Sequence, residues 1–331
     1  MAVAATNFPP SSDLYSRCRF VAGPTAVGKS EAALGLAERI GGEIISVDSM
    51  QVYRGLDIGT AKPSPAERAR VPHHLVDVCD LHASFDAARF VRLAEQAVAE
   101  ILARGRTPVF CGGTGFYFKA LLEGLGEAPA ANSELRAELE AASLASLLDE
   151  LRERDPAAYG KIDRQNSRRV IRAVEVIRLT GKPFSTQKSR WSECSREPLL
   201  AKDAGSPGAL PRQPAASRLI CFTRASADLH ARINSRVDEM FSRGLVDETR
   251  ELLKHGLAEN KFAMQAIGYR QVVEHLRGER DLAGTIELVK VRTRQFARRQ
   301  LTWFRRHGNC HWLQLNPGDS ITEMLSKITT L

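Results

Sequence analysis

Residues 19–30, Arg19-Phe20-Val21-Ala22-Gly23-Pro24-Thr25-Ala26-Val27-Gly28-Lys29-Ser30, run an apolar tetrapeptide into a loop of the form G-x-x-x-x-G-K-[ST]. The EAALGLAERI that follows spaces Ala33, Leu34, Ala37 and Ile40 as one face of a helix and stops at Gly41-Gly42. Strand, glycine loop and helix in that order make an anion cradle. The glycines permit the tight turn, and successive backbone N–H groups face the anion together with the helix N-terminus. Lys29 adds a point charge, and the Ser30 hydroxyl can ligate Mg²⁺. The loop specifies a diphosphate or triphosphate without saying which compound carries it.

Working outward, EIISVD predicts a second strand ending at Asp48, and TPVFCGG a third ending at Gly112-Gly113 before the helical FYFKALLEGL. RLICFTRA reads as a further strand returning to the sheet. Strands separated by helices predict an α/β fold, a P-loop-type parallel sheet flanked by helices, with ligands collecting at the strand carboxyl ends. Residues 131–196 are helical in pattern and predict an inserted lobe, while 197–216, rich in Pro, Gly and Ala, predict a flexible loop. Residues 19–130 and 217–331 then form the catalytic core, and residues 1–18 read as a disordered extension. Residues 227–306 are helical again and end in KVRTRQFARRQLTWFRR, where Val289, Phe296, Leu301 and Phe304 are expected to face the core.

A chain of 331 residues with 43% hydrophobic and 26% charged composition can bury a large core. Its net charge of +8 is uneven: residues 1–120 hold 13 Lys+Arg against 12 Asp+Glu, so the excess lies in the remainder. Lys161–Lys182 alone carries seven basic residues against two acids, which favours a phosphate-backbone partner. The six cysteines, Cys18, Cys79, Cys111, Cys194, Cys221 and Cys310, are scattered without a C-x-x-C pair, which predicts neither a disulfide framework nor a zinc site and suggests a reducing cytoplasm. No run of eighteen apolar residues occurs, so no membrane association is expected. No heptads are present, and a monomer is expected. His73 and His74 alternate on an extended segment and point apart, which favours structural roles over a shared metal.

Asp48 fits the position of a Mg²⁺-holding carboxylate, but the block after it is richer in functional groups than that task requires. GPTAVGKS, ISVDSMQVYRGLDIGTAKP, VPHHLVDV, GGTGFYFKALLEG, RRVIRAVEVIRLTGKP, RINSRVDEMFSRGLVDE, QAIGYRQ and TRQFARRQLTWFRR occur in that order. Together they resemble the successive blocks of the tRNA dimethylallyltransferase family, from about Arg19 to Leu315 except the 197–217 loop. The resemblance implies transfer of a dimethylallyl group from dimethylallyl diphosphate to the exocyclic N6 of adenosine 37 in a tRNA anticodon loop. It implies catalytic roles for Asp48 as general base and for Lys29, Thr25 and Arg236, with the diphosphate held on Gly23–Ser30 and Mg²⁺ on Ser30. Arg236 lies one helical turn from Arg232, and a solvated helix face is the alternative role for either.

By the same resemblance the tRNA is met by Asp48, Ser49, Met50 and Gln51, by Thr114, and by Arg136. Gln165, Asn166, Ser167, Arg168 and Arg169 join them, as do Gln265, Ala266, Ile267, Gly268, Tyr269 and Arg270. The family commonly has Thr at the position of Ser30, which keeps the hydroxyl, and often a proline near Asn166-Ser167, which leaves that turn open. The C-terminal arginine helix either lines an RNA-facing groove or lays its side chains around Trp303 and Phe304. A related adenylate isopentenyltransferase acting on free nucleotide, a P-loop small-molecule kinase and an RNA-binding module remain alternatives from the residues alone.

Overall fold

The structure, a computed structural model, describes residues 14–125, 129, 132–186, 219–307 and 310–329. Six described strands, β1 (Arg19–Ala22), β2 (Gly42–Val47), β3 (His73–His74), β4 (Thr107–Gly112), β5 (Leu219–Arg224) and β6 (Cys310–Leu315), form one sheet in the order β3-β2-β4-β1-β5-β6. Every pairing is parallel. The carboxyl ends of β1, β2, β4 and β5 therefore open on one edge, where their loops can share a ligand.

Strand alternation sorts the core. Phe20, Ala22, Ile45, Val47, Phe110 and Cys221 face one side, against α3 (Ala87–Ala103), α4 (Gly115–Glu123), α10 (Leu245–Lys254) and α11 (Tyr269–Leu276). Val21, Ile44, Val109, Ile220 and Phe222 face the other, against α1 (Lys29–Ile40), α9 (Ser226–Ser242) and α13 (Ile321–Thr329). The long α12 (Leu282–His307) serves both: Val289 and Ala297 enter the second cluster and Phe304 the first. Contrary to expectation, Phe296 is 36% exposed, because the helix turns that residue toward the cavity described below rather than the core.

Contacts divide the chain into two compact units, Met1–Leu122 with Ala209–Leu331, and Glu123–Gly208. In the second, α5 (Ser133–Ala141), α6 (Leu144–Arg154), α7 (Pro156–Tyr159) and α8 (Ser167–Thr180) close around Leu139, Leu147, Leu151, Val170 and Val174. The buried Glu175 is held by Arg136 at 2.7 Å, by Arg172 at 2.8 Å and by the Asn132 N–H at 3.1 Å. The segment 197–216 lies outside the described residues.

The expected N-terminal extension through residue 18 does not hold for its last part. Leu14–Arg17 form a 3₁₀ turn, and Tyr15 is buried with its ring edge-on to Phe20 and Phe110. A lone aromatic carries no periodicity, so the pattern misses it. The short α2 (Pro65–Arg70), β3, β6 and α13 also had no clear sequence signal.

Two outcomes follow from packing. A Cβ on Gly112 would stand 2.1 Å from the Val47 carbonyl oxygen across the β2–β4 ladder. Gly112→Ala is therefore expected to cost about 2–3 kcal/mol in urea unfolding. Gly160→Ala, whose nearest neighbour is 3.6 Å away at ordinary φ, is expected to stay within about 0.5 kcal/mol.

Glu43, buried in β2, is bonded by Arg104 at 2.8 Å and by His74 at 2.6 Å. Burial pushes its carboxyl up, but the hydrogen bonds from Arg104 and His74 outweigh it and leave the folded value below the ordinary 4.5. A depressed folded value stabilises above the unfolded value and is lost as pH falls through the folded one. Urea midpoints are thus expected to drop between about pH 5 and pH 3, and less steeply in Glu43→Gln.

Candidate active site

Three carbonyls of the loop after β1 accept side-chain hydrogen bonds from identifiable donors. Lys29 Nζ reaches back to the Pro24 oxygen at 3.1 Å, Arg232 Nε donates to Ala26 at 2.9 Å, and Arg224 Nε donates to Val27 at 2.7 Å. Arg224 is itself buried, held by Asp228 at 2.9 Å and the Asn316 carbonyl at 3.0 Å. The loop is braced from β5, α9 and the chain after β6. Gly28, with φ 106°, takes the left-handed turn that starts α1.

This loop forms one wall of a cavity of about 410 Å³ lined by Thr25, Lys29, Ser30, Asp48, Thr114 and Arg236, among others. A second, of about 840 Å³, shares Lys29, Ser30, Glu67, Arg236 and Met240 with it and adds Ala26, Gly28 and Arg232. Gly23, Pro24 and Val27 line neither: they shape the loop, and Pro24 has no N–H to offer an anion.

Asp48 directly follows β2. Its Oδ1 accepts the N–H groups of Met50 at 2.8 Å and Gln51 at 3.2 Å, which fixes the turn and leaves Oδ2 without a donor among the described residues. Ser49 N–H donates to Thr114 Oγ1 at 3.3 Å, tying this turn to the one after β4. The Gln51 amide is consumed internally: it accepts from Ser46 at 2.9 Å and donates to the Thr60 and Ala61 carbonyls at 3.2 Å.

Lys29 and Arg236 put two half-buried cations on the cavity wall. Burial pushes both side chains down from their ordinary values, with Arg236 adding to the shift of Lys29 and Arg232 to that of Arg236, while the Asp48 carboxylate opposes both and Glu239 also opposes that of Arg236. Among the described residues Arg236 has neither a hydrogen bond nor an ion pair, while Arg232 is spent on the loop. An unpartnered, half-buried guanidinium beside a lysine is an anion site by electrostatics. The Cys111 thiol, on the same wall, is pushed up to about 11 by burial, which favours its protonated form at neutral pH.

Of the other expected residues, Met50, Gln265, Ala266 and Ile267 line the same cavity, whereas Gly268, Tyr269 and Arg270 do not. Tyr269 is fully buried, its hydroxyl donating to Glu248 at 2.6 Å and accepting from Gly59 at 3.1 Å, so it is framework and not an RNA contact. Arg270 pairs with Glu274 at 3.1 Å. In the second unit Arg136 is drawn onto Glu175, which leaves less of it for a phosphate. Gln165, Ser167, Arg168 and Arg169 are exposed at the start of α8, and Asn166 caps that helix.

His74 bonds Glu43, whereas the His73 ring bonds the Val71 carbonyl and reaches the cavity wall, so the two histidines separate as expected. Glu67, which lies outside the family-like blocks, also lines the cavity, as do Thr293, Arg299 and Gln300 of the arginine helix. The last is buried and bonds the phosphate loop itself, a contact between residues too far apart in sequence for any local pattern to show.

Among the described residues no group of three or more His, Cys, Asp or Glu is arranged around a metal. The Ser30 hydroxyl and the Asp48 carboxylate nevertheless line one cavity. Hard oxygens of this kind suit Mg²⁺, which keeps most of its waters and binds through few protein ligands plus substrate phosphates.

Known proteins resemble this chain over most of its length. The IPP transferase family model matches residues 51–307. A tRNA dimethylallyltransferase of Halorhodospira halophila is 48% identical over 290 residues, spanning 86% of this chain and 88% of that protein. One from Geobacter metallireducens is 43% identical over 314 residues, 92% of this chain and 95% of the relative. Among solved structures, the full-length tRNA isopentenylpyrophosphate transferase of Bacillus halodurans superposes with a TM-score of 0.64 at 38% identity, covering 94% of this chain and 93% of its own. With family model, relatives and fold in agreement over most of its length, the chain belongs to the IPP transferase family, whose curated members here are tRNA dimethylallyltransferases.

Proposed function

We propose that this protein transfers the dimethylallyl group of dimethylallyl diphosphate to N6 of adenosine 37 in the anticodon loop of tRNA, releasing diphosphate. One observation carries the reading: a single cavity brings the Asp48 carboxylate, whose Oδ2 has no donor among the described residues, together with two cations that form no ion pair among them, Lys29 and Arg236. Lys29 and Arg236 would serve a departing diphosphate or a phosphoryl group alike, and the tRNA dimethylallyltransferase relatives favour the former. A eukaryotic dimethylallyltransferase acting on tRNA has the same fold, at TM-score 0.69 and 27% identity, which supports an RNA acceptor.

In this scheme the C1–O bond of the donor breaks as the N6 lone pair bonds C1. The displaced electron pair leaves on diphosphate, met by the loop amides, Lys29 and Arg236. Asp48 Oδ2 takes the N6 proton, so the amine reacts without building up a full positive charge. Ser30 is the residue that would hold Mg²⁺, which when bound would neutralise the leaving group's charge. Thr25 and Thr114 frame the channel between donor and base. Met50, Gln265, Ala266 and Ile267 supply walls for the extruded adenine, whose unstacking costs a few kcal/mol.

The second unit is assigned to the tRNA backbone. Arg168 and Arg169 stand in the first turn of α8, where the helix dipole disfavours cations, a placement that a bound phosphate would reverse. The five described cysteines are free thiols, and no described helix is long and apolar enough to cross a membrane.

Asp48→Asn keeps the cap on Met50 and Gln51 but cannot accept a proton. It is expected to lower kcat by roughly 10²–10⁴-fold, with KM for tRNA within about threefold and an unchanged melting temperature. Mass spectrometry of tRNA nucleosides after incubation with dimethylallyl diphosphate reads the turnover, and near-normal turnover would remove Asp48 from the base role.

Arg236→Leu separates stability from activity in the other direction. Removing one of two repelling cations is expected to leave the ligand-free melting temperature equal or higher, while kcat/KM for the donor falls by about 10²-fold. Thermal melts with and without diphosphate check both halves, since the variant should lose most of the stabilisation that diphosphate confers on the wild type.

A further inference from the structure

The side chain of Gln300 lies at the cavity wall and belongs to neither substrate-facing set, yet both of its polar atoms are used. Its Oε1 accepts the Thr25 N–H of the phosphate loop at 2.9 Å, and its Nε2 donates to the Gly113 carbonyl after β4 at 2.9 Å. It is 8% exposed. The chain is shaped to admit it: a Cβ on Gly113 would stand 2.2 Å from Gln300 Nε2, and one on Gly115 would stand 2.1 Å from Trp303, one turn further along α12.

The next residue, Thr114, accepts the Ser49 N–H, and Ser49 adjoins Asp48, whose Oδ1 holds the same turn. One amide thus closes a hydrogen-bonded path from the loop that holds the leaving group to the turn that carries the base. Transfer to nitrogen requires the acceptor, C1 and the leaving oxygen in near-linear order, within a few tenths of an ångström. From this geometry we infer that Gln300 is a positioning residue that sets the separation of the diphosphate loop and the Asp48 turn. The inference rests on the prenyl-transfer reading above.

Misalignment leaves a chemical signature. When N6 stands out of line, water attacks C1 instead: the C1–O bond still breaks to diphosphate, and the products are dimethylallyl alcohol and unmodified tRNA. Two variants test this. Gln300→Leu removes both bonds. Gln300→Glu keeps an acceptor for Thr25 but, when ionised, sets a carboxylate against the Gly113 carbonyl; when protonated it again donates there.

The measurements are kcat, donor KM, and diphosphate released per dimethylallyl group incorporated into tRNA. Expected for Gln300→Leu are a kcat loss of at least about tenfold, a donor KM within about threefold, and release exceeding incorporation at least about twofold. For Gln300→Glu, activity relative to wild type at the same pH is expected to rise as pH falls from about 8 to about 6, since burial pushes an introduced carboxyl upward. A loss of packing alone would move neither the stoichiometry nor that pH ratio.

If Gln300→Leu folds and keeps one-to-one stoichiometry with kcat within about threefold, the positioning role is overturned. If it fails to fold, the Gln300→Glu ratio decides, and a pH-independent ratio overturns it equally. A wild-type enzyme that modifies no tRNA overturns the prenyl-transfer reading, and this one with it; wild-type transfer with unaffected Gln300 variants overturns only this one.

Discussion

A loop that points its amides at an anion points its carbonyls the other way, and a buried carbonyl without a donor costs as much as a lost hydrogen bond. The architecture answers that constraint. Arg224 at the end of β5 and Arg232 on α9 donate to Val27 and Ala26, and Lys29 reaches back to Pro24. All three donors are cationic side chains, and the charge of Arg224 is balanced in turn by Asp228. Sheet order serves the same end by seating β1 between β4 and β5, with the chain after β6 closing on Arg224.

The site itself is electrostatically unbalanced. Lys29 and Arg236 are held near each other at reduced solvation, an arrangement that stability alone would not favour. Three buried charges elsewhere are matched: Lys62 meets Asp57 and Asp77, Glu43 meets Arg104 and His74, and Glu175 meets Arg136 and Arg172. The contrast separates charges that hold the fold from charges kept for a ligand.

Much of this is legible in the chain before folding. Strand–loop–helix order around Gly23–Ser30, and strands ending at Asp48 and Gly112, suffice for a parallel sheet with its ligand at the carboxyl edge, because period and glycine chemistry are local. The cavity also gathers most of the residues that the family blocks marked near the core. What stayed hidden is what depends on distance. The two-residue β3 and the turn around Tyr15 are stabilised by neighbours from other segments, and Tyr269, within a recognisable block, proves to be framework. The family resemblance set Gln51 and Arg136 against the RNA; the Gln51 amide turns out to be bonded within the protein, and Arg136 turns one nitrogen to Glu175. Gln300 gave no signal because nothing in a helical repeat announces that one amide will reach back to a loop near the other end of the chain.

That reach has a consequence in time. Thr25 and its partner are separated by 275 positions. At ordinary synthesis rates of about 5–20 residues per second, the phosphate loop therefore leaves the ribosome roughly 15–55 s before the helix that completes it. An emerging chain carries a motif able to attract phosphates long before it can align one with an acceptor. Competence arrives nearly last, with the segment that also joins the two faces of the core, so a protein truncated in synthesis is born without a finished site.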